Sequence, residues 1–264
     1  MNIDLTGKTA VITGSSDGIG YACAQALAEA RAHVVINGRS DTTVQRALER
    51  LRKEFPRTRF NGVAADMSKA EGPARIIEAA PECDILINNC AVSNQYNVLE
   101  EPDESFLQLF QINFMAGVRL SRHYLPLMLK KNRGRVLFHN SEQSLRPSAN
   151  MAGYGASKAA ELSFARSLAE CTRGTAVTVN TVIIGPTRSA VTSALHARIA
   201  AETGKTVKEV EEEFFRNYRP ASLLQRLAEG REVANMAVYL SSDYSSATNG
   251  AVLSVEGGVR EVIF

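Results

Sequence analysis

The chain has no tryptophan, only 6% aromatic residues and a net charge of just +2 over 264 residues. So even a balance of charge excludes a general binder of nucleic acid or of anionic membrane surfaces. Arginine outnumbers lysine, but the arginines are scattered rather than run together. The four cysteines, Cys23, Cys83, Cys90 and Cys171, include no CxxC pair. They are expected to be reduced thiols in a cytoplasmic protein. The four histidines, His33, His123, His139 and His196, show no ligand spacing, so no metal is implied. No run of 18 apolar residues exists to span a membrane, and the first residues, with Asp4 and Lys8, lack the apolar stretch of a signal peptide. Pro/Gly/Ser linkers, repeats and low-complexity tracts are also missing, which argues for one domain over 1–264.

What is present alternates. Short β-rich runs lie at 8–13, 33–37, 59–65, 83–88, 134–140, 175–183 and 251–255. Between them are stretches of helical spacing such as Ala22-Ala26-Leu27-Ala30 and Leu162-Ala165-Leu168-Ala169. That alternation predicts an α/β fold, a doubly wound parallel sheet of seven strands with helices on both faces. One interval breaks the rhythm. Residues 186–230 carry no strand signal, whereas Val207, Val210, Phe214 and Tyr218 recur at helical steps. Ligands of open α/β sheets bind beyond the carboxyl ends of the strands, so a helical insertion at 188–220, after the sixth strand, is placed to cover a site as a lid. A surface elaboration with its own small core fits the same pattern.

The first strand runs into Thr13-Gly14-Ser15-Ser16-Asp17-Gly18-Ile19-Gly20, and an Ala-rich helix follows. Glycines at a strand-to-helix junction let the backbone turn sharply and approach a ligand, and the helix start offers N–H groups to a phosphate. A glycine cluster alone is a weak signal; its place after the first strand makes it a dinucleotide-binding turn.

Tyr154 and Lys158 lie four apart on an expected helix, so both project from one face. A phenol titrates near 10, and a neighbouring ammonium favours the phenolate. With seven tyrosines and eight lysines, about 0.2 such pairs arise by chance, so the pair needs company. Ser141 supplies it at the end of the fifth strand, where a hydroxyl can bond a substrate oxygen.

In their order these motifs resemble the short-chain dehydrogenase/reductase family. TGSSDGIG is similar to its TGxxxGxG turn, Asn88-Asn89-Cys90-Ala91 to its NNAG, Asn113 to its helix asparagine, and Ser141 with Tyr154 and Lys158 to its Ser and YxxxK elements. Ile184-Gly185 stands where Pro-Gly is usual, and Val255-Glu256-Gly257-Gly258 resembles the closing VDGG. The resemblance spans essentially the whole chain and includes members similar to 3-ketoacyl reductases. It implies a Rossmann-like fold, a nicotinamide cofactor and carbonyl/alcohol interconversion, with Asn113, Ser141, Tyr154 and Lys158 as the catalytic tetrad. The cofactor would lie against Gly14, Ser15, Ser16, Gly18, Ile19, Gly20, Arg39, Asp66, Met67, Asn89, Tyr154, Lys158, Gly185 and Thr187. It also implies a homo-oligomer, a tetramer, with the helices at 102–131 and 152–173 in the main contact. Two departures stand out: Ala91 adds a methyl where the family has glycine, and Ile184 replaces a proline that shapes a turn.

At the end of the second strand, Asn37-Gly38-Arg39 has no carboxylate for a ribose 2′-OH and an arginine for a 2′-phosphate. This favours NADP(H), with NAD(H) possible because Asp17 stands where many NADP-dependent relatives carry a basic residue. The expected partner is a small carbonyl or alcohol substrate, a β-keto acyl thioester or a polyol or sugar acid, bordered by Glu142, Arg188 and Phe214. The competing reading is a non-catalytic dinucleotide-sensing protein on the same fold.

Overall fold

The computed structural model describes residues 2–261. Strands β1 (Thr9–Ile12), β2 (His33–Gly38), β3 (Phe60–Ala64), β4 (Ile85–Asn88), β5 (Gly134–Ser141), β6 (Val177–Ile184) and β7 (Val252–Val255) make one parallel sheet in the order β3-β2-β1-β4-β5-β6-β7. Each strand falls within about two residues of its sequence expectation, the scatter normal for strand ends. The strand order reverses between β1 and β4, which opens a crevice at their carboxyl ends.

The helices are α1 (Gly18–Glu29), α2 (Asp41–Glu54), α3 (Glu71–Ala79), α4 (Asp103–Phe110), α5 (Ala116–Lys130), α6 (Ala152–Glu170), α7 (Ala190–Thr203), α8 (Val207–Tyr218) and α9 (Gly230–Ser241). Alternation along the strands divides the core in two. Ile12 and Ile36 pack with Leu27 of α1, Leu48 of α2 and Val233 of α9. Val11 and Val136 turn the other way, onto Ile76 of α3, Leu120 of α5 and Ala165 of α6. A sheet buried on both faces has nearly continuous apolar strands, which is why VLFH and VTVNTVII read so clearly. Among the described residues no helix is long and apolar enough to cross a membrane.

Two features bear on the site. Between α4 and α5 the helix loosens into a π turn at Gln111–Met115, which contains Asn113. After β6 the insertion forms a helical hairpin, α7 and α8. Gly204 takes the left-handed backbone (φ +70°) that ends α7, and Ser189 and Thr206 cap the two helices in reciprocal capping boxes. The expected stripe is rotated. Val210 and Phe215 are buried, while Val207 and Tyr218 are 42% and 69% exposed. The helix packs mainly on α7 and turns Phe215 inward, a residue the spacing does not select.

Candidate active site

Each glycine of the turn after β1 has its own necessity. Gly14 and Gly18 have positive φ (+60° and +59°), and a Cβ on Gly14 would stand 2.9 Å from the Cys90 Cα. A Cβ on Gly20 would meet the Gly14 carbonyl oxygen at 2.4 Å and the Asn89 Nδ2 at 2.6 Å. The turn is also braced. Thr13 Oγ1 accepts from the amides of Asn89 (3.0 Å) and Cys90 (2.9 Å), and Asn89 Nδ2 donates to the carbonyls of Thr13 (2.9 Å) and Gly14 (3.0 Å). Asn37, buried at the end of β2, accepts from the Gly14 amide (3.1 Å) and donates to the carbonyls of Val63 and Ala65 (both 3.1 Å). An asparagine in that place ties the turn to β3 as well as leaving the position uncharged.

Some of the expected cofactor contacts are available only through backbone. Ser15 is fully buried, with its hydroxyl donated to the Ile12 carbonyl (2.7 Å) and accepting from the Asn37 amide (2.9 Å), and Met67 sits in the core. Ile19 packs on the core beside α1, and Ser16 borders Gly38. Arg39 is exposed and has no ion pair among the described residues. Asp66 is exposed; hydrogen bonds from the Ser68 amide and hydroxyl hold its carboxyl below the usual range. Asp17 caps α1 by accepting from the Gly18 amide (2.8 Å), which explains an acidic residue in this turn without a cofactor role.

The departures are accommodated. Ala91 is exposed. Ile184 extends β6, paired with Ser141 and Val255, and the Gly185 amide then donates to the Val255 carbonyl (3.2 Å). A Cβ on Gly185 would lie 2.6 Å from the Glu256 carbonyl oxygen. The sheet edge holds this turn where the family uses a proline. Thr187, buried, donates its hydroxyl to the Gly185 carbonyl (2.9 Å).

The structure brings Ser141, Tyr154 and Lys158 together where β5 meets α6. Lys158 is 1% exposed and donates to the His139 carbonyl and the Glu161 carboxylate, both at 2.8 Å. Burial works against its ammonium, but Glu161 and then Tyr154 outweigh that and raise Lys158 above the ordinary value. Burial pushes the Tyr154 phenol up; Lys158 and the Ser141 hydroxyl pull it down, while Glu142 and Glu161 add to the rise. The net direction is upward. Lys158 exerts the expected pull, but desolvation exceeds it in the protein alone. Asn113 is buried, and its side chain is committed: Oδ1 accepts from the Val92 amide (2.8 Å), and Nδ2 donates to the Val92 carbonyl and the Ser157 hydroxyl (both 2.9 Å). It braces the segment after β4 against α6.

Several participants are not evident in the sequence. His139 Nδ1 lies 2.9 Å from Asn89 Oδ1; since the Asn89 amide nitrogen is already donating, His139 carries its proton on Nδ1. Burial, then Lys158, lowers it to about 3, so the imidazole is neutral. On the substrate side Ser141 donates to the buried Glu142 carboxylate (2.9 Å), whose other oxygen takes Arg219 Nη2 from the end of α8 (3.2 Å). Arg188 is directed elsewhere, to Glu229 (2.9 Å) and Glu211 (3.0 Å), and so fastens α8 to the turn before α9. Phe214 is half-buried, edge-on to Phe215 and stacked on Tyr218. Arg219, 77 residues from Glu142, makes a cross-link that sequence spacing could not disclose.

The family model for short chain dehydrogenase matches residues 8–200. The Bacillus subtilis oxidoreductase YvaG is 40% identical over 264 residues, the full length of both chains. Among solved structures, the L-sorbose reductase of Gluconobacter frateurii complexed with NADPH and L-sorbose superposes with a TM-score of 0.93 at 28% identity, covering all of each chain. A Beutenbergia cavernae protein described as an NAD(P) dependent gluconate 5-dehydrogenase, solved with NADP bound at low occupancy and 31% identical, gives 0.83 over 97% of this chain and 98% of its own. A glycine turn tied to the Asn89 segment, a half-buried Tyr154 beside the buried Lys158 and a strand-end serine, and these likenesses converge: the chain belongs to the short-chain dehydrogenase family of oxidoreductases.

Proposed function

We propose that the protein is an NADP(H)-dependent oxidoreductase that interconverts a ketone and a secondary alcohol, with Tyr154 as the acid/base. The observation that carries this reading is the convergence of the Tyr154 phenol, the buried Lys158 ammonium and the Ser141 hydroxyl at one strand end. The fit to a dinucleotide rests on the glycine turn, where a Cβ on Gly14 would collide with Cys90 and α1 offers its first amides. Arg39, exposed and without an ion pair among the described residues, suits a 2′-phosphate. The nicotinamide cofactor supplies or accepts the hydride when bound, held by the turn, Asp66, the Asn89 segment, Lys158, Gly185 and Thr187.

In reduction Tyr154 gives its phenolic proton to the carbonyl oxygen as that oxygen gains negative charge; in oxidation the phenolate takes the alcohol proton. Ser141 swings its hydroxyl from Glu142 to the same oxygen and stabilises the charge there. Lys158 keeps a positive charge beside the phenolate that results. The structurally similar sorbose reductase was solved with a sugar ketone, and here Glu142 places a buried carboxylate against the reacting hydroxyl. That favours a neutral, hydroxyl-bearing ketone over a substrate with a carboxylate next to its carbonyl.

The α7–α8 hairpin serves as a lid. It contributes few buried side chains, and its attachments are polar: Arg219 to Glu142, and Glu211 to Arg188 and to the Leu227 amide (3.1 Å). Ser189, at its start, faces Gly18 of the turn, so closing the hairpin bears on the cofactor side as well.

The test is Tyr154→Phe, which removes the transferable proton and little else. Its kcat on a hydroxyketone with NADPH should fall about 10²- to 10⁴-fold, with cofactor binding retained. Parental turnover in the variant would defeat the assignment.

A further inference from the structure

We infer that Glu161 is a positioning residue of the reacting centre: its carboxylate, buried behind Lys158, anchors the ammonium at the end of β5 and sets how readily Tyr154 releases its proton. The inference rests on the proposed role of Tyr154 and assigns a fourth charged participant to the same site.

Tyr154, Lys158, Glu161 and Ala165 follow at steps of four, three and four, one face of α6. The first three form the polar end of that face, and Ala165 begins the apolar remainder. Glu161 is 2% exposed. One of its oxygens, Oε2, receives both Lys158 Nζ and Asn140 Nδ2 at 2.8 Å. Asn140 also donates to the Lys158 carbonyl (2.8 Å), and its Oδ1 accepts from the Ser141 amide (2.9 Å). A closed circuit therefore joins the backbone of Ser141 to the ammonium of Lys158, with Glu161 at its centre. A carboxylate on an exposed helix face would contribute little. Burial raises the Glu161 carboxyl above its ordinary value, while Lys158 and the bond from Asn140 pull it down; ionised beside Lys158, its charge is felt more strongly than in water, and it has no other cation within the circuit.

Two consequences follow. An ammonium has three donors. Glu161 and the His139 carbonyl fix two of them, which leaves one for the cofactor ribose or the phenol and limits where that one can point. Glu161 also offsets the charge of Lys158. An unopposed ammonium would favour the phenolate strongly; the pair is neutral as a unit, and Tyr154 stays protonated to higher pH. That is the form that donates to a carbonyl, so Glu161 favours reduction. The other groups facing this centre are His139 from β5, neutral; Glu142 from the end of β5, already matched by Arg219 of the hairpin; and Cys90 from the segment after β4, whose thiol burial raises to about 11. Of the two carboxylates that hold Tyr154 up, Glu142 takes the Ser141 hydroxyl directly, whereas Glu161 makes no direct bond to Ser141.

The experiment titrates the Tyr154 phenol by ultraviolet difference absorbance on the intact protein, with Tyr154→Phe as the subtraction, alongside the pH profile of ketone reduction. Glu161→Gln keeps the shape and loses the charge. Its Tyr154 midpoint should fall by about half a unit to one unit, and the alkaline limb of the profile should move down with it. Glu161→Asp keeps the charge but withdraws the anchor by one methylene; its midpoint should stay near the parent's while KM for NADPH rises about threefold or more. A folded Glu161→Gln protein with an unmoved midpoint overturns the inference. If that variant does not fold, an unchanged NADPH KM in Glu161→Asp overturns it instead. Turnover retained in Tyr154→Phe would be a different failure, that of the catalytic assignment itself.

Discussion

Arg39 shows how much one side chain can decide. It follows directly on the end of β2, is exposed and has no ion pair among the described residues, while the neighbouring Asn37 is neutral and occupied with the glycine turn. A charge-assisted bond to a phosphate contributes roughly 1.5–3 kcal/mol, about ten- to a hundredfold in affinity. Arg39→Ala should weaken NADPH by that factor and leave NADH nearly unchanged, as read from Kd by fluorescence titration. Equal affinity of the parent for the two cofactors would mean that no such phosphate contact is made. At this scale the sequence was legible where a residue acts alone. Gly14, Ser141, Tyr154 and Lys158 each announce a chemistry by type and local spacing. Pairings were not legible. The Lys158–Glu161 bridge could be guessed from a step of three, but its burial depends on Asn140, and the engagement of Glu142 by Arg219 depends on a hairpin 77 residues away.

Among the elements, strands were the easiest to recognise, because a sheet covered on both faces demands apolar runs. The helices of 102–131 and 152–173 also appear where expected, save that the first contains the π turn around Asn113. The hairpin was the hardest. Its helices were foreseeable from periodicity, but the face that α8 buries is set by α7, and two adjacent phenylalanines leave the phase ambiguous from sequence alone. Phe214 lies between Phe215, which is buried, and the exposed side. If the hairpin closes over substrate, Phe214→Ala should raise the ketone KM several-fold, by about 1 kcal/mol of lost contact, with kcat largely kept. Hydrogen exchange in 188–220 should slow when NADPH and substrate are added together, far more than in β4 to β6. Equal protection with and without ligands would make the hairpin a fixed part of the fold.

On the scale of the whole molecule, the face of α4 and α6 away from the sheet stands out. Leu99 is 90% and Leu107 66% exposed. Phe110, Phe114 and Phe164 stack edge-to-face toward Phe138 of β5, half-covered at the outer end. An open cleft of about 520 Å³ at the start of α6 is lined by Val98, Pro147 and the alanines Ala152, Ala156 and Ala159, with Gln143, Ser144 and Ser148 as its polar part. Apolar surface of this extent is expected to be covered by a second copy of the chain. Light scattering at micromolar concentration should give a homo-oligomer, a tetramer by family expectation, and Leu107→Glu should shift it toward smaller species. A stable monomer of the parent would refute the assembly.

The edge strand β7 supports the site from late in the chain. The Val255 carbonyl receives the Gly185 amide, Glu256 packs on Gly185, and the Gly257 carbonyl takes the amides of Leu223 and Leu224 at the foot of the hairpin (2.8 and 3.0 Å). Ser141, Tyr154 and Lys158 precede these residues by roughly a hundred positions in the chain. The support of the turn at Gly185 therefore comes from the strand that is last in order among the described residues, about a hundred positions after the segment that carries Ser141, Tyr154 and Lys158.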